Sequence, residues 1–302
     1  MQDRQQPYPV FWCRMDHIHV AGQAQIPLNH QKEACREAFM DEFGIRESPD
    51  NNYFFLPKAR RLEGAWTSLN SARFSGDNYY HWLHDCLVRL VLVDQFPSET
   101  KILVENPEIP FKKATLQLLG LWDRVYPSTH RNYFVDRFYF APPLAITGCY
   151  DFLGARYLRN QLLPKIRPIT KSPPYLFITR KSSGRSVVNL GELEECFRRA
   201  GWTVVDPGAL SFDEQAGLFA GAKQLVGIHG GALANLIWCS PSCAVLELFS
   251  EGYLNGCYEI ISNTIGMRYD HLISPSVGLD GMMVHLSSLR AKCRSFFGSN
   301  FI

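Results

Sequence analysis

Gln224 to Asn235 reads QLVGIHGGALAN: an apolar run, a glycine-rich turn, and then an apolar helical pattern over Leu233 to Trp238. A buried strand that stops at Ile228 and a helix that starts at once leave the first N–H groups of that helix without intrahelical partners. Such an end carries partial positive charge, and Gly230 and Gly231 remove the side chains that would hold a phosphate off the main chain. His229 adds a hydrogen-bond donor at the rim. The stretch is neither GxGxxG nor a Walker loop, and the same glycines would serve a tight bend alone. Spacing by itself leaves these two readings level.

Working outward, the second half of the chain alternates apolar runs with helical periods. Tyr175 to Thr179 (YLFIT) reads as a buried strand, and Asn189 is placed to cap a helix that runs through Arg199 and stops at Gly201. Trp202 to Asp206 (WTVVD) is the next strand. Ser211 with Glu214 makes a capping box for a helix ending near Gly221, ahead of strand Gln224 to Ile228. Beyond the turn come strand Ala244 to Phe249, a helix over Tyr253 to Ile265 and an apolar run near His271. Strands separated by single helices imply a parallel sheet with right-handed crossovers, a Rossmann-like lobe.

The first half is less regular. Tyr53 to Leu56, Lys101 to Glu105 and Tyr133 to Phe140 read as strands and Asp77 to Phe96 as one long helix, which predicts a second α/β layer. Leu163 to Pro174 holds four prolines and reads as a linker. The expected organisation is an N-terminal lobe over 1–163, a Rossmann-like lobe over 175–280, and a C-terminal helix within 281–302 that packs back on the first lobe. The fold class is α/β with two such lobes.

Composition sets limits on partners. The 302 residues are 46% hydrophobic, with 31 basic against 29 acidic side chains and a net charge of +2. That balance argues against a nucleic-acid partner, so anion binding has to be local. No stretch has the roughly 18 apolar residues of a membrane span, and the N-terminus has charges where a signal peptide needs an apolar core. Nine cysteines form no CxxC pair. The expectation is a cytoplasmic protein with reduced thiols.

Three further groups carry chemistry. The loop TRKSSGRS after the YLFIT strand places Arg180, Lys181 and Arg185 at another strand's carboxyl end, where guanidinium forks suit phosphate oxygens. The segment GDNYYHWLHDCLVRL sets His81 and Asp85 four residues apart, on one helix face. A carboxylate beside an imidazole orients a general base or takes a proton itself; a structural bond pinning the helix is the plainer alternative. His84 completes an HxxHD pattern that invites a metal reading, yet no partner cluster accompanies it. Glu247, in VLELF, stands where a strand-end carboxylate could hold a ribose diol or merely face solvent.

Together NYYHWLHD, YLFITRKSSGRS and VGIHGGALANLIWCSP followed by VLELF resemble the family 61 glycosyltransferases in order and spacing, from about Gly76 to Phe249. The resemblance, of the capsular polysaccharide and lipopolysaccharide type, implies a GT-B fold, inversion at the anomeric carbon and no metal. It implies Asp85 and His81 as the catalytic pair. Asn78, Arg180, Lys181, Arg185, His229, Gly230, Gly231, Ala232, Asn235 and Glu247 become the substrate-binding set. No cofactor is implied, because a nucleotide-diphosphate sugar is the donor substrate and a glycan hydroxyl the acceptor. A lipid-linked acceptor would bring the enzyme to a membrane surface. The chain departs from the family at Gly230-Gly231-Ala232, where Gly-Ala-Gly is usual, at Val88, where Pro commonly precedes Arg89, and at Leu190, where Glu is frequent. An epimerase, a hydrolase or an inactive binding module would use the same turn.

Overall fold

The computed structural model describes residues 10–22, 25–35, 56–70, 78–145, 151–167, 169, 172–180, 186–278 and 281–298. They divide into two units, with the break between Leu162 and Leu163.

The first unit is built on a mixed sheet of β1 (Cys13–Ala21), β2 (Ile26–Leu28), β3 (Arg60–Ser68), β4 (Lys101–Val104), β5 (Val125–Pro127) and β6 (Asn132–Phe140). The strand order is β2-β1-β6-β3-β4-β5. β3 runs parallel to β4 and β6, and β4 to β5, whereas β1 is antiparallel to both β2 and β6. Tyr133, Val135, Phe138 and Phe140 of β6 bury their side chains with Leu62, Trp66 and Leu103. The register between β3 and β6 shifts between Leu62 and Ala65, and Gly64 there has φ +87°. A bulge needs that left-handed conformation, which only glycine adopts without strain. Tyr53 to Phe55, expected in a strand, lie outside the described residues, and Leu56 is irregular.

The long helix expected over Asp77 to Phe96 is helical over 79–93, but not uniformly so. It opens as an α-turn, Tyr79–His81, widens over Trp82–Cys86, tightens over Leu87–Arg89 and closes as Leu90–Val93. In the wide turn the Leu87 N–H reaches back five residues to the Trp82 carbonyl. Such π-turns cost regular hydrogen bonding and concentrate at functional sites. Helix Phe152–Leu162 approaches this segment so closely that a Cβ on Gly154 would lie 2.6 Å from the Val88 carbonyl oxygen.

The second unit carries five parallel strands: β7 (Tyr175–Ile178), β8 (Thr203–Val205), β9 (Gln224–Ile228), β10 (Ala244–Ser250) and β11 (Arg268–Ser274). The order is β11-β10-β9-β7-β8. The expected parallel sheet is therefore present. Phe177 and Phe197 stack at 4.1 Å in its core, joined by Leu193, Val226 and Leu248. Ser211 and Glu214 form the predicted capping box of helix Phe212–Gly221.

Two local expectations are corrected. Asn189 precedes helix Leu190–Arg199 but does not cap it; its amide instead donates to the Val284 carbonyl and accepts from the Val284 N–H. The helix expected from Tyr253 begins at Cys257, because Tyr253 forms an isolated bridge to Ser250 and 254–255 are irregular. In the C-terminal helix, Leu286–Phe297, Leu289 and Cys293 are buried in the second unit's own core, and Lys292 pairs with Asp270 at 2.6 Å. Arg167, Ile169 and Ser172 lie against helix Phe212–Gly221 where Gly217 and Gly221 lack side chains.

Candidate functional site

β7 is the first strand of its sheet, β8 lies on one side of it and β9 on the other. The chain thus reverses its direction of travel between β7 and β9, and the loops leaving their carboxyl ends diverge. In open α/β sheets ligands bind at such a point. The β7 loop begins with Thr179 and Arg180; the β9 loop is His229-Gly230-Gly231.

These loops are tied together. Arg180 Nη1 donates to the His229 carbonyl at 2.8 Å, and a Cβ built on Gly230 would lie 2.5 Å from the same nitrogen. Gly230 has φ 168°, an extended conformation open to any residue. Its glycine is required by the guanidinium packed over it and not by its backbone angles. Gly227 is required by packing too, since a Cβ there would meet Leu233 at 2.5 Å. Gly231 differs: a Cβ there meets nothing within 4 Å.

Three side chains hold the carbonyls of the turn. Arg180 takes that of His229, the Tyr258 hydroxyl donates to Gly230 O at 2.7 Å, and the Asn235 amide donates to Ala232 O at 3.0 Å. In a trans peptide the N–H points opposite to the preceding carbonyl. The Gly231 N–H is therefore turned away from buried Tyr258 and stands at the start of the 3₁₀ segment Gly231–Trp238. An amide so placed, over a glycine with open space above it, suits an anion.

Behind the turn lies a chain of three polar side chains. His229 Nδ1 meets Glu247 Oε1 at 2.5 Å, and the Tyr269 hydroxyl donates to Glu247 Oε2 at 2.5 Å. Glu247 is 0% exposed. It is not at the mouth of the crevice: β10 continues three residues past it to Ser250, and both carboxylate oxygens are engaged inside the protein. Glu247 thus lies inside its strand and does not face solvent. Burial pushes the Glu247 carboxyl above its usual range, while the bonds from His229 and Tyr269 act against that rise. Burial and the Glu247 charge likewise raise the Tyr269 phenol. The His229 ring stacks on Phe249 at 4.9 Å and is flanked by Tyr253 and Tyr258.

In the first unit, Asn78 Oδ1 accepts from the N–H groups of Tyr80 and His81, which caps the helical segment. His81 Nδ1 meets Asp85 Oδ2 at 2.6 Å across the π-turn. His84 is buried with its ring 4.9 Å from that of Tyr80. Arg89 is buried on the same segment. Its guanidinium donates to the carbonyls of Ala141, Asn70 and Ser68, fastening the helix to the ends of β3 and β6. Burial lowers its pKa to about 10, so it stays a cation at neutral pH.

The Glycosyltransferase 61 family model matches residues 79–246, more than half of the chain. The chain belongs to glycosyltransferase family 61. No curated relative matches it. As a glycosyltransferase it works with a sugar donor and a glycan acceptor. The matched region runs from the His81 segment through the β7 loop and the glycine turn to Leu246.

Within this glycosyltransferase, Arg180, His229, Gly230, Gly231, Ala232, Asn235 and Glu247 come together in one cluster of the second unit. His81 and Asp85 pair in the first, with Asn78 at the start of their helix. Lys181 and Arg185 lie outside the described residues. Asn235 is fully buried, its amide shared between Ala232 O and Gln215 Oε1, so it braces the turn from within. Tyr258, Tyr269 and Arg89 were missed from sequence. Among the described residues no three His, Cys, Asp or Glu side chains are grouped as a metal site, and no helix is long and apolar enough to cross a membrane.

Proposed function

We propose that the protein is an inverting, metal-independent glycosyltransferase of GT-B type that moves a hexosyl or pentosyl group from a nucleotide-diphosphate sugar to a glycan hydroxyl. The observation that carries this is the tie between Arg180 and the His229-Gly230-Gly231 turn at the switch point of the second sheet. Charge accumulates on the leaving diphosphate as the anomeric bond breaks. A fixed guanidinium and a helix-end amide stabilise such charge without reorganising during the step.

The first unit supplies the other half of the reaction. Asp85, held by His81, takes the proton of the acceptor hydroxyl as that oxygen attacks the anomeric carbon. One displacement with one base inverts the configuration. Arg185 and Lys181 join the phosphate site in this reading, on the strength of their place in the loop that begins at Arg180. A role in bacterial surface polysaccharide synthesis in the cytoplasm rests on the family resemblance alone.

The test is product analysis with UDP- and GDP-sugars and a glycan acceptor, with and without EDTA. NMR of the new linkage reports the anomeric configuration. Transfer with inversion that survives EDTA is expected. Retention, or strict dependence on a divalent ion, would remove the corresponding part of the proposal. Donor breakdown at the same rate without acceptor would point to a hydrolase instead.

A further inference from the structure

We propose that Tyr269 and Glu247 are positioning residues for the donor's diphosphate: they hold the His229 ring through Nδ1 so that Nε2–H is offered to a phosphate oxygen. The inference rests on the assignment of the turn as the diphosphate site and deepens it.

The geometry is directional. Glu247 fixes Nδ1, so Nε2 is the ring nitrogen left for a ligand. Nε2 makes no hydrogen bond with the described residues, and it is not among the buried atoms without a partner. His229 directly precedes Gly230 and Gly231, which puts that nitrogen's ring at the same turn as the Gly231 amide. With one proton between Glu247 Oε1 and Nδ1, the ring's other hydrogen sits on Nε2, where it can be donated to a phosphate oxygen.

Tyr269 fixes the carboxyl itself: its phenol donates to Oε2, which leaves Oε1 as the oxygen facing Nδ1. The stack with Phe249 and the flanking rings of Tyr253 and Tyr258 then set the plane of His229. Other ionisable groups face the cluster: Arg180 at the His229 carbonyl, His271 beside Glu247 on β11, and Cys257 and Glu259 of helix Cys257–Ile265 toward Tyr269. None of these hydrogen-bonds the His229 ring, which among the described residues is bonded to Glu247.

The test uses inorganic pyrophosphate, which lacks a base and a sugar, and follows its Kd by calorimetry from pH 5.5 to 8.5. Wild type, Tyr269→Phe, Glu247→Gln and His229→Asn are compared. His229→Asn records the pH dependence of pyrophosphate's own ionisation. In Tyr269→Phe and Glu247→Gln the Kd at pH 7 should rise about 3- to 10-fold, with a pH profile displaced from that of the wild type. If Glu247→Gln does not fold, Tyr269→Phe carries the comparison. Wild-type binding with an identical pH profile in both variants overturns the positioning role and leaves the turn assignment standing. Absence of pyrophosphate binding to the wild type at every pH overturns both.

Discussion

Arg180 Nη1 lies 2.8 Å from the main-chain oxygen of His229, so the loop after β7 and the turn after β9 are one mechanical unit at the point where the sheet changes direction. The guanidinium occupies the space that a side chain on Gly230 would need, while the space above Gly231 stays open. Neighbouring glycines in one turn therefore have different reasons to be glycine.

That difference separates folding from binding. Gly230→Ala forces Arg180 to move and should weaken nucleotide-sugar binding about 10-fold or more, with a measurable loss of thermal stability. Gly231→Ala meets no protein atom and should melt within about 0.5 kcal/mol of wild type. Its donor affinity should nonetheless fall, because the added methyl group faces the approaching phosphate. Calorimetry and thermal melts on the two variants check this.

Asp85→Asn keeps the shape of the His81 pair and removes the base. Turnover should drop by about 10²- to 10⁴-fold while donor affinity stays within twofold, since the donor turn belongs to the other unit. Initial-rate kinetics with a separate binding measurement check the split. Turnover at the wild-type rate removes Asp85 from the mechanism.

Arg89→Met deletes the cation that fastens the His81–Asp85 helical segment to the carbonyls of Ser68, Asn70 and Ala141. The carbonyls left without a donor should cost about 3 kcal/mol or more. A lower urea midpoint is the expected reading, accompanied by loss of activity as the π-turn loses its anchor.

Glu247 gives stability a pH dependence of known sign. Burial raises its folded-state pKa above the ordinary 4.5. Stabilisation from the neutral carboxyl is complete below that ordinary value and is lost as pH rises through the folded one. The melting temperature of wild type should thus fall relative to Glu247→Gln as pH is taken upward from about 4.5. Parallel curves for the two proteins would show that Glu247 does not titrate between them.

Much of the second unit was legible because strands buried in a parallel sheet read as short apolar runs with glycine and proline at their ends. YLFI, QLVGI and AVLELFS are of that kind. The capping box at Ser211 was legible because both partners lie within one turn of helix. β1 and β3 were not, since CRMDHIHVA and RRLEGAWTS mix charges into half-buried strands and Gly64 breaks the alternation. The π-turn left no trace, because Trp82, Leu83, Leu87 and Leu90 keep an apolar helical spacing whichever hydrogen bonds are made. Glu247 was read as a strand-end residue although its strand, expected over Ala244 to Phe249, continues past it to Ser250. Its bond to Tyr269 joins residues far apart in sequence, which local pattern cannot register.

The most direct test of the central claim is the affinity of wild type and Arg180→Ala for UDP-, GDP- and CMP-sugars, measured by calorimetry without divalent metal. A grip built for a diphosphate predicts binding of a UDP- or GDP-sugar, weaker binding of CMP-sugars with their single phosphate, and a loss of about 10-fold or more in Arg180→Ala. Binding that is equal for one phosphate and two, or indifferent to Arg180, would contradict it.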